Sequence, residues 1–300
     1  MDGIICIYKE KGYTSHDVVA KLRGILKTKK IGHTGTLDPD ATGVLPVCIG
    51  KATKLCDMLT DKDKAYRTEM VLGKKTDTQD ISGKVIEESV LGNDITEERI
   101  KDVIYGFVGD YMQIPPMYSA LKVNGRKLYE LARQGIEVER KPRPVKILEV
   151  DVQKIEIPYI TMTVDCSKGT YIRTLCNDIG ERLGTGACMT QLERIRSGRF
   201  GLKDCITLEK TEEFVKNGTI GKYIISVDDM FKDLKKCVVI AKYNKLVQNG
   251  NALLIRHLNK TGQFKDGERV RVYDENGMFA GIYAFKASEG VFAPVKMFFI

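Results

Sequence analysis

The feature that most constrains this chain is its succession of short strand-like runs, joined by turn formers and only irregularly interrupted by helical stretches. Residues 3–8 (GIICIY) are an unbroken apolar run, which reads as a strand buried on both faces. Residues 65–72 (AYRTEMVL), 84–87, 145–156 and 159–166 read as further strands. Asn124-Gly125, flanked by LKV and RKL, has the residues of a tight hairpin turn. Thr14-Ser15 is placed to cap a helix in which Val18, Val19, Leu22, Ile25 and Leu26 follow a 3.6-residue period. Other helices are expected near 52–60, at 96–107 with capping-box spacing, and near 171–183. Strands that follow one another through turns predict an α+β domain with a mainly antiparallel or mixed central sheet flanked by helices. Toward the C-terminus, RVRVYD (269–274), MFAGIYAF (278–285) and PVKMFF (294–299) are separated by glycine-containing turns, predicting a small all-β module. The expected division is 1–232 for the main domain and 237–300 for the module.

With 43% hydrophobic and 29% charged residues, the 300-residue chain can bury a full core. The net charge of +8 favours a polyanionic partner. Eight cysteines are scattered singly without a C-x-x-C pair, so they read as reduced, mostly buried side chains. The N-terminus has no cationic and apolar leader, and no run approaches the roughly 18 apolar residues of a membrane span. A cytoplasmic protein without a membrane partner is expected. There is no G-x-S-x-G, H-E-x-x-H or G-x-x-x-x-G-K-[ST] motif. The three histidines (16, 33 and 257) have no neighbouring carboxylates or cysteines at ligand spacing, so no metal site is expected. Ser15-His16-Asp17 reads as part of a helix cap, because triad partners converge from separate segments.

The first helix ends in the basic run Lys27-Thr28-Lys29-Lys30, and the loop GHTGTLDPDATG (32–43) that follows is dense in turn formers, as an active-site loop is. Taken alone, Leu37-Asp38-Pro39-Asp40 also reads as an ordinary turn. Residues 32–54, GHTGTLDPDATGVLPVCIGKATK, resemble the catalytic motif of the TruB family of pseudouridine synthases. Lys9 with Gly12-Tyr13-Thr14-Ser15 resembles that family's N-terminal motif, with Glu10 in place of the usual proline. Lys64-Ala65-Tyr66-Arg67, GKKTDTQDISG (73–83), QIPPMYSALKVNGRKLYELARQG (113–135), GTYIRTL (169–175) and Leu192 with Arg194 and Gly198 extend the match in order.

The resemblance implies a pseudouridine-synthase fold with a PUA-like C-terminal module, acting without a cofactor on uridine 55 in the T-arm of tRNA. The reaction breaks the N1–C1′ bond, turns the base and rejoins it through C5, which calls for a carboxylate, a proton acceptor for C5 and a sheltered pocket. The resemblance implies Asp38 as the catalytic carboxylate, Arg173 as its ion-pair partner and Tyr66 as the residue that stacks on the uracil and reaches its C5 proton. It further implies His33 as an RNA contact, and Tyr171 and Leu192 as pocket walls. For Tyr66, Tyr171 and Leu192, core packing is the competing reading. Extruding the base costs roughly a few kcal/mol. The basic stretches 121–146 (eight Lys/Arg, three Glu) and 182–203 (five Lys/Arg, one Glu) are expected to grip phosphates. A monomer is expected. The alternative is a non-catalytic RNA-binding or tRNA-folding module.

Overall fold

The computed structural model describes residues 1–259 and 262–298. Its main body comprises β1 (Gly3–Lys9), α1 (Ser15–Ile25), β2 (Thr42–Ile49), β3 (Lys64–Leu72), α2 (Glu97–Tyr105), β4 (Gly109–Gln113), β5 (Arg143–Glu156), β6 (Tyr159–Cys166), α3 (Ile172–Leu183), β7 (Ala187–Ser197) and α4 (Leu208–Lys216). The strands form a nine-stranded sheet in the order β1-β2-β7-β3-β6-β5-β4; Ile31–His33 also pairs with β2, and Phe200–Gly201 with β7. Every pairing in this sheet is antiparallel except one. β2 and β7 run parallel over two residue pairs only, Thr42 with Glu193 and Gly43 with Arg194. This short seam joins two otherwise antiparallel half-sheets. Glycine is required there: Gly43 has φ +105°, and a Cβ on it would lie 2.3 Å from the Arg194 carbonyl oxygen.

The apolar run of β1 is explained by its two covered faces. Ile5 and Ile7 pack with Val18, Val19 and Leu22 of α1 and Leu208 of α4. Ile4 and Cys6 point the other way, into a cluster with Val44, Phe200, Val227 and Phe298. Each isoleucine so enclosed contributes about 1.5–3 kcal/mol of burial. In the other half-sheet, Met70, Ile147, Ile160 and Val164 pack beneath Ile100 and Ile104 of α2 and Leu175 and Ile179 of α3. The C-terminal module is a five-stranded half-barrel made of β8 (Lys235–Val238), β9 (Leu253–Leu254), β10 (Arg269–Tyr273), β11 (Phe279–Lys286) and β12 (Val291–Met297), in the order β8-β10-β11-β12-β9. The protein is thus α+β with a mixed sheet and a PUA-like β module, as expected. Among the described residues no helix is long and apolar enough to cross a membrane.

Several local expectations are corrected. β7 was not foreseen, because Gln191, Glu193, Arg194 and Arg196 obscure its alternation. Val85–Glu88 pairs with Lys74–Thr76 in a separate two-stranded ribbon. At α2, Thr96 accepts the Arg99 N–H, but the residue at that third position is arginine, so no reciprocal capping box forms. The expected 32–43 loop is shorter, since His33 ends one strand and Thr42 begins another. The last expected strand, PVKMFF, is observed as Val291–Met297; Phe299 lies outside the described residues.

Candidate active site

Residues 34–41 between the Ile31–His33 strand and β2 are held from several sides. Thr34 donates its N–H (3.1 Å) and its hydroxyl (3.2 Å) to the Pro46 carbonyl. The Ser15 hydroxyl oxygen, fully buried, accepts the Leu37 N–H at 2.9 Å. The equally buried Lys9 ammonium donates to the carbonyls of Pro39 (3.0 Å), Tyr13 (2.6 Å) and Glu10 (3.1 Å). Burial lowers the Lys9 ammonium to about 8. Leu37 and Ala41 sink into the main core on either side of Asp38. A loop anchored at both shoulders leaves the intervening carboxylate little freedom.

Facing Asp38 is Arg173 in the first turn of α3. It is buried, and a buried guanidinium must have its charge and donors satisfied. Its Nε lies 3.0 Å from Asp38 Oδ2 and its Nη1 3.5 Å from Asp80 Oδ2. Nη1 also donates to the Thr78 carbonyl at 3.1 Å, and Nη2 to the Tyr118 carbonyl at 2.9 Å. The polar turn that follows β3 is built to present Asp80: its Oδ1 accepts from the Thr78 hydroxyl (2.9 Å) and the Ser82 N–H (3.0 Å), while the Thr76 hydroxyl donates to its carbonyl (2.7 Å). Arg173 therefore ties the Asp38 loop to two further segments. The Asp38 side chain keeps 43% exposure. Burial by the surrounding walls pushes its carboxyl above the ordinary aspartate value; Arg173 and Lys9 oppose this, and the Asp80 carboxylate adds to it.

Beside this pair, across the sheet, Tyr66 of β3 is in register with Arg194 of β7, and Thr68 with Leu192. Tyr66 is buried in the same cluster as Leu37 and Ala41, and Leu192 packs against that cluster, partly open. Burial pushes the Tyr66 phenol up, with Arg194 acting against it. Arg194 itself is fully buried and donates from Nε to the Val44 carbonyl (2.7 Å) and from Nη2 to the Gly35 carbonyl (3.3 Å). It pins the seam to the loop. Tyr171 immediately precedes α3; its backbone is held twice by the Gln113 amide, at 2.8 Å to its N–H and 3.0 Å to its carbonyl.

Asp38 and Arg173 are thus paired, Tyr66 and Leu192 belong to the cluster that takes up Leu37 and Ala41 beside Asp38, and Tyr171 precedes the helix that carries Arg173. His33 stands apart in a strand rather than in the loop. It meets His16 edge-on, with ring centroids 5.3 Å apart. Burial lowers its imidazole. Sequence reasoning gave no part in the site to Asp80, Lys9, Ser15 or Gln113, although Asp80 sits in the quoted TDTQD segment and Lys9 and Ser15 in the N-terminal motif. The basic stretch 182–203 is divided: Arg194 is internal and Arg196 pairs with Asp165, whereas Arg182, Arg199 and Lys203 are exposed, Arg182 lying over the Phe107 ring. By contrast Lys122, Arg126, Arg133, Lys141, Arg143 and Lys146 of the other stretch are exposed. Among the described residues no group of three His, Cys, Asp or Glu could hold a metal ion.

The whole arrangement is similar to a solved structure of an H/ACA RNP bound to a substrate RNA containing 2'-deoxyuridine, at a TM-score of 0.70 and 26% identity, covering 99% of this chain and 84% of that one. The fold is that of the pseudouridine synthases. The TruB family pseudouridylate synthase N-terminal domain matches residues 23–172, and the tRNA pseudouridylate synthase B C-terminal domain matches residues 173–237. The tRNA pseudouridine synthase B of Lachnoclostridium phytofermentans is 50% identical, over 99% of this chain and 100% of its own length. That of Clostridium perfringens is 48% identical over 94% of each. The chain belongs to the TruB family.

Proposed function

We propose that this protein is an enzyme that isomerises a uridine of tRNA to pseudouridine, that its target is position 55 in the T-loop, and that Asp38 is the catalytic carboxylate. The observation that carries the reading is the Asp38–Arg173 pair, held at 3.0 Å with the arginine buried and the carboxylate partly exposed. Arg173 keeps the carboxylate ionised and aimed, and the open side of Asp38 receives the extruded nucleotide. Tyr66 stacks on the uracil, with its hydroxyl oxygen directed toward the C5 proton. Leu192 and Tyr171 wall the pocket, and His33 contacts the RNA outside it. The exposed cations of residues 121–146 hold the phosphate backbone, with residues 237–300 as a further RNA-contacting module on a catalytic domain of residues 1–232. The enzyme works as a cytoplasmic monomer and needs no cofactor.

The test is tritium release from a T-arm hairpin labelled at uracil C5, in buffer without cofactors, comparing wild type with Asp38→Asn. Many turnovers for wild type and none for the variant, at similar hairpin affinity, are expected. Binding without release by either protein would sink the catalytic claim and leave an RNA-binding module.

A further inference from the structure

The basic run at the end of α1 has no part in the site described above, and its geometry is unusual. The helix closes with Leu26 as its cap; the Thr28 N–H then reaches back to the Arg23 carbonyl at 3.2 Å, the six-to-one bond of a Schellman turn. That closure puts the next residue in the left-handed region. It is Lys27, at φ +47°, where glycine is the usual and less strained choice. Around it, Arg23, Lys27, Thr28 and Lys29 line an open groove of about 500 Å³. Among the described residues none of Arg23, Lys27, Lys29 and Lys30 makes an ion pair with a carboxylate. The helix dipole accounts for a cation in the last turn, but its reach ends there, and Lys29 and Lys30 lie beyond it.

The groove is also tied to the active-site loop. The Lys30 carbonyl accepts the Gly50 N–H at 2.8 Å, and the chain continues directly into the Ile31–His33 strand on β2. Three residue steps of extended chain lead from Lys30 to His33, about 10 Å. Unpaired cations gathered at that distance match a nucleic-acid backbone, whose phosphates follow one another past any extruded base. We propose that this groove binds phosphates of the tRNA backbone next to the target nucleotide, with Lys27 and Lys29 as contacts. The proposal rests on the reading that the chain acts on tRNA.

The experiment compares wild type with the double variant Lys27→Gly/Lys29→Gln, and with the charge-matched control Lys101→Gln/Lys154→Gln. Affinity for full-length tRNA transcript is measured from 50 to 200 mM salt, with tritium-release kinetics and thermal melting alongside. The groove variant is expected to lower the slope of log affinity against log salt by about two. The affinity that wild type loses across this fourfold salt range would then shrink about sixteenfold in the variant. KM should carry the loss in turnover, while Tm holds or rises because glycine suits the left-handed position. A slope equal to that of wild type, or an equal change in the control, overturns the proposal. A wild type that binds tRNA but releases no tritium removes the catalytic reading alone and leaves the slope comparison decisive.

Discussion

Arg173 and Asp80 act on the Asp38 carboxyl in opposite senses, so their removal should move the enzyme's pH profile in opposite directions. In the proposed reaction Asp38 acts in its ionised form, so turnover is expected to fall as pH drops through its raised pKa. Arg173 opposes that rise and Asp80 adds to it. In tritium-release profiles of kcat/KM, Arg173→Gln should displace the acid limb upward, beyond a loss in rate, and Asp80→Asn should displace it downward. Shifts of the same sign in both variants would show that the limb does not report Asp38. The pair itself was legible in the sequence, because Asp38 and Arg173 stand in recognisable motifs. Asp80 was not: it lies in a quoted segment, but its purpose depends on an arginine that only the folded chain brings near. Lys9 and Arg194 were hidden for a similar reason, since a buried cation is defined by the carbonyls around it, and these come from distant residues.

At the scale of elements, α1 does two jobs with adjacent residues. Thr14 is the true N-cap, its hydroxyl oxygen accepting the Asp17 N–H and the Asp17 carboxylate accepting the Thr14 N–H. Ser15, which the sequence assigned to the cap, instead turns inward to hold Leu37. Thr14→Ala should therefore lower stability by about 1 kcal/mol and leave kcat near wild type. Ser15→Ala should lower kcat about tenfold, ~1.4 kcal/mol in barrier, by loosening the loop that carries Asp38. Melting curves and turnover on the same preparations separate the two, and equal effects on both properties would refute the division. Strands with a clear apolar pattern, such as β1, were readable. β7 was not, because its central Arg194 is buried through hydrogen bonds rather than apolar contact, and periodicity registers only the latter.

Over the whole molecule, the half-barrel is fastened to the main body. Phe279 and Phe298 stack with each other and meet Phe231; Lys54 donates to the Met297 carbonyl at 3.0 Å; Arg271 pairs with Asp228 at 2.9 Å. The protein should consequently melt in a single calorimetric transition, with Phe279→Ala lowering its stability by about 3 kcal/mol. Two separated transitions would show that the bodies are independent. The strands β10, β11 and β12 were legible from their turns, but β8 and β9 were not, nor was the module's attachment, since nothing local marks which aromatic faces inward. The seam between β2 and β7 has a further meaning for biosynthesis. Until residues 187–197 have left the ribosome, the N-terminal hairpin and the four strands β3, β4, β5 and β6 have no strand between them. The carboxylate and its arginine are already translated by then, but on parts that have not been joined, and bringing such distant segments together is the entropically expensive step of folding. The nascent chain is therefore expected to acquire its chemistry only after β7 has emerged and joined the two parts.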